Sequence, residues 1–143
     1  MKLSEAILLG SIGSKQGFGA ESIYKESKDK CALGAALLAV GIEVSKDHEK
    51  LGLISPYHYI TMKWPFTSSP IMHPITKVPA DIRYVIFNLN DMYKWTRPQI
   101  AAWVAIQEAY NVTPHEVSAC PSKMTLLRPS EPLVDLEPVD QTI

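Results

Sequence analysis

The chain has 143 residues, of which 46% are hydrophobic and 20% charged, and its formal net charge is −1 at pH 7. A single domain of this length can bury a core of its own. The absence of excess positive charge disfavours binding to nucleic acid or to an anionic membrane surface. The longest apolar run, residues 31–42, is also well short of the roughly 20 residues that cross a bilayer, which excludes a membrane partner.

The N-terminus and the cysteines predict the cellular location. Lys2 and Glu5 stand where a secretory signal peptide would have its apolar core, so no signal peptide is expected. Cys31 and Cys120 are too few for a disulfide framework and are typical of free thiols in a reducing compartment. The sequence therefore predicts a cytoplasmic protein.

The first element is predicted to be a short helix over residues 3–9, with Ser4 as its cap and Gly10 as its end. Four glycines lie within residues 10–19. They do not match a phosphate-binding loop, because that loop needs Gly-Lys-Ser/Thr directly after a strand. A mobile loop is predicted instead.

A central buried helix is predicted over residues 31–41, because this stretch is apolar nearly all round. Cys31 at its start could gain thiolate character from the helix dipole. A small buried hydrophobic residue is the more ordinary role of such a cysteine. The charged residues 21–30 ahead of this helix are predicted to be solvated.

Two strands are predicted in the middle of the chain. Residues 57–64 alternate between two faces, and His58 would lie on the apolar face as a hydrogen-bonded core histidine. Residues 82–88 are apolar on both faces, which is typical of a central strand. The two strands would pair in one small antiparallel sheet.

The connection between these strands, residues 65–80, contains four prolines and is predicted to lack regular secondary structure. A loop of this length in a compact domain is usually functional or packed against a partner. We therefore predict partner contacts at three of its residues: Pro70, His73 and Pro74.

The best-marked helix start in the chain is at Thr96. Thr96 and Gln99 have the spacing of a capping box, and Pro98 suits the first turn. The apolar residues on either side of the cap are spaced as a hydrophobic staple. The helix is predicted over residues 97–109. Its predicted structural residues are Trp95, Thr96, Gln99, Ile100 and Trp103.

The C-terminal part of the chain is predicted to contain one more helix and a tail. Thr113 and Glu116 repeat the capping pattern, which predicts a helix over residues 114–120. Residues 121–143 carry four prolines and four acidic residues, a composition typical of an extended tail. Apolar side chains in the tail are predicted to dock on a partner or a neighbouring subunit: Leu133, Val134, Leu136 and Val139.

Together these elements predict an α+β fold. A small antiparallel sheet of residues 57–64 and 82–88 would be packed by helices 31–41 and 97–109. Residues 1–120 would form the single folded domain, with the extended tail beyond it.

Four pieces of the sequence resemble a functionally uncharacterised family of short bacterial and phage proteins. Members of that family often carry a Cys-Pro-x-Cys element ahead of the second strand, which implies a metal site. The corresponding residues 69–74 contain no cysteine, so the resemblance implies that such a site is lost here. The resemblance transfers no activity. Its four pieces are Leu-Ser-Glu-Ala-Ile with Leu-Gly at 3–10, Cys-Ala-Leu-Gly-Ala-Ala at 31–36, Leu-Asn-Asp at 89–91, and Trp-Thr-Arg with Ile-Ala and Trp-Val at 95–104.

The sequence contains no pattern typical of a catalytic or metal site. A zinc site needs about four Cys, His or acidic ligands at short spacings, whereas the histidines and cysteines are scattered singly. A Cys–His nucleophile pair would need partners that are adjacent in space, and no local motif supports one. Asn90 and Asp91 could form an acid–base site, but both are also preferred turn formers. We therefore expect no metal and no cofactor.

Three functional classes follow, in order of preference. The first is a non-enzymatic assembly or interaction protein, such as a phage (and hence virion) or filament component, that contacts itself or a neighbouring subunit through residues 65–80 and the tail. The second is a nucleic-acid-binding regulator whose helices 97–109 and 114–120 form a helix-turn-helix. Its second helix offers His115 and Glu116 where a recognition helix would have Arg, Lys, Asn or Gln. The third is a small enzyme.

Overall fold

The structure, a computed structural model, describes residues 1–47 and 55–110. Residues Met1–Glu108 form one compact unit, and a second unit, Ala109–Ile143, lies almost wholly outside the described residues. The predicted helix 114–120, the predicted tail and its four apolar docking residues therefore also lie outside them, as does the predicted domain boundary after residue 120.

The fold is α+β, as predicted, with a small antiparallel sheet of two strands. Helices make up most of the described residues, and the sheet is a single short hairpin. The elements, in chain order, are α1 (Leu3–Ile12), a 3₁₀ turn (Ala20–Ile23), α2 (Ala32–Ala39), α3 (Pro56–Lys63), a second 3₁₀ turn (Pro65–Ser68), β1 (Pro70–Met72), β2 (Pro79–Asp81), α4 (Ile82–Asp91) and α5 (Arg97–Tyr110).

The predicted strand over residues 57–64 is wrong, because this segment is helix α3. The Ser55 side chain accepts a hydrogen bond from the amide of His58, and Pro56 occupies the first turn, so the helix has a regular N-terminal cap. Ile60 points into the core, whereas His58 is exposed and is not a core histidine. The alternation of residues 57–64, which predicts a strand, is thus overridden by the N-terminal cap and by the burial of Ile60.

The predicted strand over residues 82–88 is also wrong, because it is part of helix α4. The buried residues along it are spaced at three- and four-residue intervals, which is the helical period and not the period of two that a strand requires. These residues are Ile82, Val85, Ile86 and Leu89.

The two strands occur instead within the proline-rich connection, where no regular structure was predicted. β1 pairs antiparallel with β2, with Pro70 opposite Asp81, Ile71 opposite Ala80 and Met72 opposite Pro79. Prolines are tolerated here because a two-stranded hairpin has only edge strands, whose outward-facing amide positions need no partner.

Helices α1 and α2 pack tightly against each other. Helix α1 continues past Gly10, which is buried and does not end the helix as predicted. A Cβ atom added at Gly10 would lie 1.8 Å from the carbonyl oxygen of Ala35, so the two backbones touch at this point. Ser4 is not the cap residue of α1. Its amide and hydroxyl instead donate to the Glu108 carboxylate, over 3.1 and 2.6 Å, so that α5 caps α1.

The predicted central helix is confirmed as α2. Its residues 32–37 are all buried, and the Cys31 thiol caps it by accepting a hydrogen bond from the amide of Gly34 over 3.3 Å. Around α2 lies one core cluster with contributions from α1, α3, α4 and α5. None of the helices among the described residues is long and apolar enough to cross a membrane.

The predicted helix over residues 97–109 is confirmed as α5, and its capping box is present. The backbone amide of Gln99 donates to the Thr96 hydroxyl over 3.2 Å, and the backbone amide of Thr96 donates to the Gln99 side-chain oxygen over 2.9 Å. Ile100 is fully buried, and Trp95 and Trp103 pack half-buried against the core.

Candidate protein-binding surface

The hairpin of β1 and β2 is fixed at both of its ends. At its tip the amide of His73 donates to the carbonyl of Val78, and the amide of Lys77 donates to the carbonyl of His73, both over 3.0 Å. At its base the amide of Ile82, the first residue of α4, donates to the carbonyl of Ser69 over 3.1 Å. The hairpin is therefore joined directly to the start of α4.

His73 anchors the turn of the hairpin onto α4. Its Nδ1 accepts hydrogen bonds from the amides of Ile75 and Thr76 over 3.0 and 3.2 Å. Its Nε2 lies 2.7 Å from the Asn88 side-chain oxygen. Because Nδ1 accepts twice, the ring proton of the neutral histidine belongs on Nε2, which donates to Asn88. The ring also packs 5.7 Å from that of Tyr93.

These contacts change the role predicted for His73. The residue is only 2% exposed, so it supports the turn from inside and is not available for a partner contact. Pro70 is exposed and Pro74 half-buried, so both lie on the surface of the hairpin, and their contact with a partner stays a prediction.

The hairpin and the residues after α4 carry exposed apolar side chains. Met72 is 54% exposed, Ile75 41% and Val78 58%, and the exposed Met92 and Tyr93 follow at the end of α4. The ring of Tyr93 packs against the buried ring of His73 in the turn of the hairpin. We call these five residues the hairpin surface: Met72, Ile75, Val78, Met92 and Tyr93.

The turn of the hairpin carries little charge. Between residues 70 and 80 the one Lys, Arg, Asp or Glu residue is Lys77, which is exposed. Lys77 adopts a left-handed backbone conformation with φ 62°. Its ammonium donates to the carbonyl of Pro74 over 2.9 Å. Asp91 and Lys94 flank Met92 and Tyr93 in the sequence.

A cleft lies at the base of the hairpin, between the start of α3 and α4. Its volume is about 560 Å³. Three aromatic rings form one wall, with ring centroids 6.4 Å apart for Tyr57 and Phe87 and 6.5 Å apart for Tyr84 and Phe87. The other lining residues are Ser55, His58, Asp81 and Arg83.

The charges of this cleft are engaged with each other and with α3. The Arg83 guanidinium donates to the Thr61 hydroxyl over 2.7 Å and lies 3.6 Å from the Asp81 carboxylate. The cleft therefore combines an aromatic wall with a partly exposed ion pair at the end of β2.

The catalytic alternatives gain no support from the described residues. Cys31 is a free, buried cysteine, and burial raises the pKa of its thiol, which is the opposite of what a thiolate nucleophile requires. Cys120, His48 and His115 lie outside the described residues. Within residues 1–47 and 55–110 no group of three or more His, Cys, Asp or Glu residues is placed to hold a metal ion.

Asn90 is neither a turn residue nor an acid–base group, because it is fully buried within α4. Its amide makes four hydrogen bonds, the full capacity of the group. The side-chain oxygen accepts from Gln16 over 2.9 Å and from the amide of Ala32 over 3.2 Å. The side-chain nitrogen donates to the carbonyl of Gly17 over 3.0 Å and to the Asp91 carboxylate over 2.8 Å.

Like Asn90, Arg97 is a buried polar side chain that joins several segments of the chain, and the sequence did not reveal this role. It is only 6% exposed, and its guanidinium donates to the hydroxyl and carbonyl of Ser14 and to the carbonyls of Lys15 and Lys30. The glycine-rich segment is therefore tied to α5 through backbone carbonyls, and the predicted mobile loop is wrong.

The segment 21–30 is likewise not simply solvated, since Ile23, Tyr24 and Lys30 are buried.

Residues from the four pieces of sequence that carry the family resemblance take part in the packing of α1 on α2 and in the hydrogen bonds of Asn90 and Arg97. Gly10 contacts α2, Asn90 bonds to the start of α2, and Arg97 bonds to the segment between α1 and α2. Each of these residues holds elements of the fold together, and none of them lies on the hairpin surface. What these pieces encode is structure.

Comparison of the chain with protein-family models, with curated proteins and with solved structures gives no match.

Proposed function

We propose that this protein is a non-enzymatic assembly protein that associates with a second copy of itself through the hairpin surface. The observation that carries the proposal is a set of exposed apolar side chains, Met72, Ile75 and Val78, on a hairpin whose turn is held by hydrogen bonds to the His73 ring.

The energetics favour covering these side chains. Each Å² of apolar surface that is removed from water contributes about 25 cal/mol of favourable free energy. Contiguous exposed apolar patches on soluble proteins commonly mark interaction sites. The His73 anchor adds preorganisation, because the hairpin does not have to be ordered at the moment of binding.

A second copy of the chain suits this surface chemically. An isologous contact places the same patch on both sides, so the patch must complement itself. An apolar patch does so, whereas a patch with one sign of charge would repel its copy. The one Lys, Arg, Asp or Glu residue between 70 and 80 is Lys77, which keeps its positive charge while its ammonium donates to the carbonyl of Pro74, so each copy brings one cation and several apolar side chains to the contact.

The C-terminal sequence supplies a second contact in the proposal. Residues 121–143 combine prolines with Leu133, Val134, Leu136 and Val139. Proline-rich segments bind in extended form with a low ordering entropy. We propose that this tail docks on a neighbouring subunit.

The experiment compares the oligomeric state of three forms of the full chain by size-exclusion chromatography with light scattering. The double variant Ile75→Lys/Val78→Lys should shift the wild-type oligomer to a monomer, since it places charge in the apolar contact. The control is Ile12→Lys, at an isoleucine that is 82% exposed and lies outside the hairpin surface. It should leave the oligomer intact. An oligomer that survives the double variant would contradict the proposed interface.

A further inference from the structure

We propose that a small pocket beside α2 binds an aliphatic carboxylate, with the ammonium of Lys30 holding the carboxylate group and an apolar floor holding the chain. The pocket is separate from the hairpin surface, so this proposal stands or falls independently of self-association.

The pocket lies between α2 and the segments that flank it. Its volume is about 200 Å³, below the roughly 300–1,000 Å³ typical of sites for drug-sized ligands, so its ligand is small. Ile23, Leu37 and Ile42 form the apolar part of its lining. Three lysines also line it: Lys25, Lys28 and Lys30.

Lys30 differs from the other two lysines because it is buried. Only 8% of the residue is exposed, whereas Lys25 and Lys28 are exposed. Its backbone is fixed, since its amide donates to Lys15 and its carbonyl accepts from Gly17. The side chain is thus presented to the pocket from a rigid base.

The Lys30 ammonium has fewer partners than it needs. An ammonium has three donors, and in the described part of the chain it makes one hydrogen bond, to the carbonyl of Tyr24 over 2.8 Å. No carboxylate among the described residues lies within ion-pair distance of it. Burial accordingly lowers the pKa of Lys30. A buried cation with unused donors on a pocket wall is a site for an anion.

The acidic residues nearby do not fill this role. The Glu26 carboxylate accepts from the Ser45 hydroxyl over 2.5 Å and from the amide of Lys46 over 3.1 Å, so its oxygens are bonded to these groups. Glu26 and Glu43 both line the pocket and are exposed, and their charges act to raise the pKa of Lys30, which burial lowers, but neither carboxylate lies within ion-pair distance of its ammonium. An acceptor for the remaining N–H donors of Lys30 would therefore be a group that enters the pocket from outside the chain.

The combination of one buried ammonium and an apolar floor selects the ligand class. A multiply charged phosphate would leave the apolar lining in contact with a strongly hydrated group, which is unfavourable. An aliphatic carboxylate satisfies both parts, because its head accepts charge-assisted hydrogen bonds and its chain covers Ile23, Leu37 and Ile42.

The first test uses the wild-type full chain and a series of sodium carboxylates from acetate to hexanoate, followed by ¹H–¹⁵N NMR. Saturable shifts should appear at Ile23, Gly34, Leu37 and Ile42. Affinity should rise about threefold to fourfold for each methylene that enters the pocket. Hexanol and sodium chloride at matched concentration and ionic strength serve as controls and should not produce these shifts. An equal response to chloride, meaning an adventitious ion only, or no saturable shift overturns the proposal.

The second test separates Lys30 from a lysine outside the pocket. Lys30→Met keeps an unbranched side chain, one atom shorter and uncharged, and should weaken hexanoate binding about tenfold or more. Lys63→Met, at an exposed lysine of α3 that does not line the pocket, should bind as the wild type does. Leu38→Trp, at a lining residue that is 44% exposed, should obstruct the pocket without touching the core, and so tests the site even where Lys30→Met does not fold. Wild-type binding by a folded Lys30→Met or by Leu38→Trp overturns the assignment.

Discussion

At the scale of single residues, buried polar side chains decide how the elements are joined. Asn90 bonds to Gln16, Gly17 and Ala32, which lie 58 to 74 residues away in the chain. The sequence marked Asn90 as a turn former because asparagine is common in turns. Partners that are so distant have no local signature, so the role of this residue could be found only in the structure.

We predict that Asn90→Asp destabilises the fold by about 3 kcal/mol or more, because it removes two donors and buries a charge next to the Asp91 carboxylate. The matched control on the same helix is Asn88→Asp. This change keeps the oxygen that accepts from His73 and should shift stability by less than about 1 kcal/mol. Urea unfolding of both variants measures the difference, and equal midpoints would show that the four hydrogen bonds of Asn90 contribute little.

At the scale of elements, the sequence predicted the helices that carry strong terminal signals or an unbroken apolar run. α5 was found from its capping box and α2 from its apolar composition. The sequence predicts strands in place of α3 and α4, because residues 57–64 alternate between two faces and residues 82–88 are apolar on both faces. The buried positions Ile82, Val85, Ile86 and Leu89 had the correct helical period all along.

Close packing of α1 on α2 gives a test at this scale. Gly10→Ala would normally stabilise a helix interior, but here the added methyl meets the Ala35 carbonyl, so we expect a loss of about 2 kcal/mol. Gly13→Ala is the control, because a Cβ at Gly13 has no atom within 4 Å among the described residues. Thermal unfolding should show a lower Tm for Gly10→Ala alone. A Gly10→Ala protein as stable as Gly13→Ala would mean that the two helices separate without cost.

At the scale of the whole molecule, the proline-rich residues 65–80 were predicted to contact a partner and to lack regular structure. The structure instead makes residues 70–81 a hairpin. It exposes Met72, Ile75 and Val78 while burying His73. The sequence could not distinguish these roles, because the burial of His73 depends on Asn88 and Tyr93 of a different element. The apolar side chains of the tail belong to the same proposal of self-association.

We predict that a chain truncated after Cys120 remains folded but no longer assembles as the full chain does, since it lacks Leu133, Val134, Leu136 and Val139. Circular dichroism would report the fold, and light scattering the mass. A truncated chain that assembles normally would remove the tail from the proposal, while leaving the hairpin surface to be tested separately.

Self-association through the hairpin is tested most directly by a dilution series of the full wild-type chain in ¹H–¹⁵N NMR. The proposal predicts that the amide signals of Met72, Ile75, Val78 and Tyr93 move with protein concentration along a binding curve. Those of Leu8, Leu9 and Ile12, which are also exposed apolar residues but lie on α1, should stay constant. The proposal would be contradicted if the hairpin signals did not change across the series and the mass in solution remained that of one chain, 15.9 kDa.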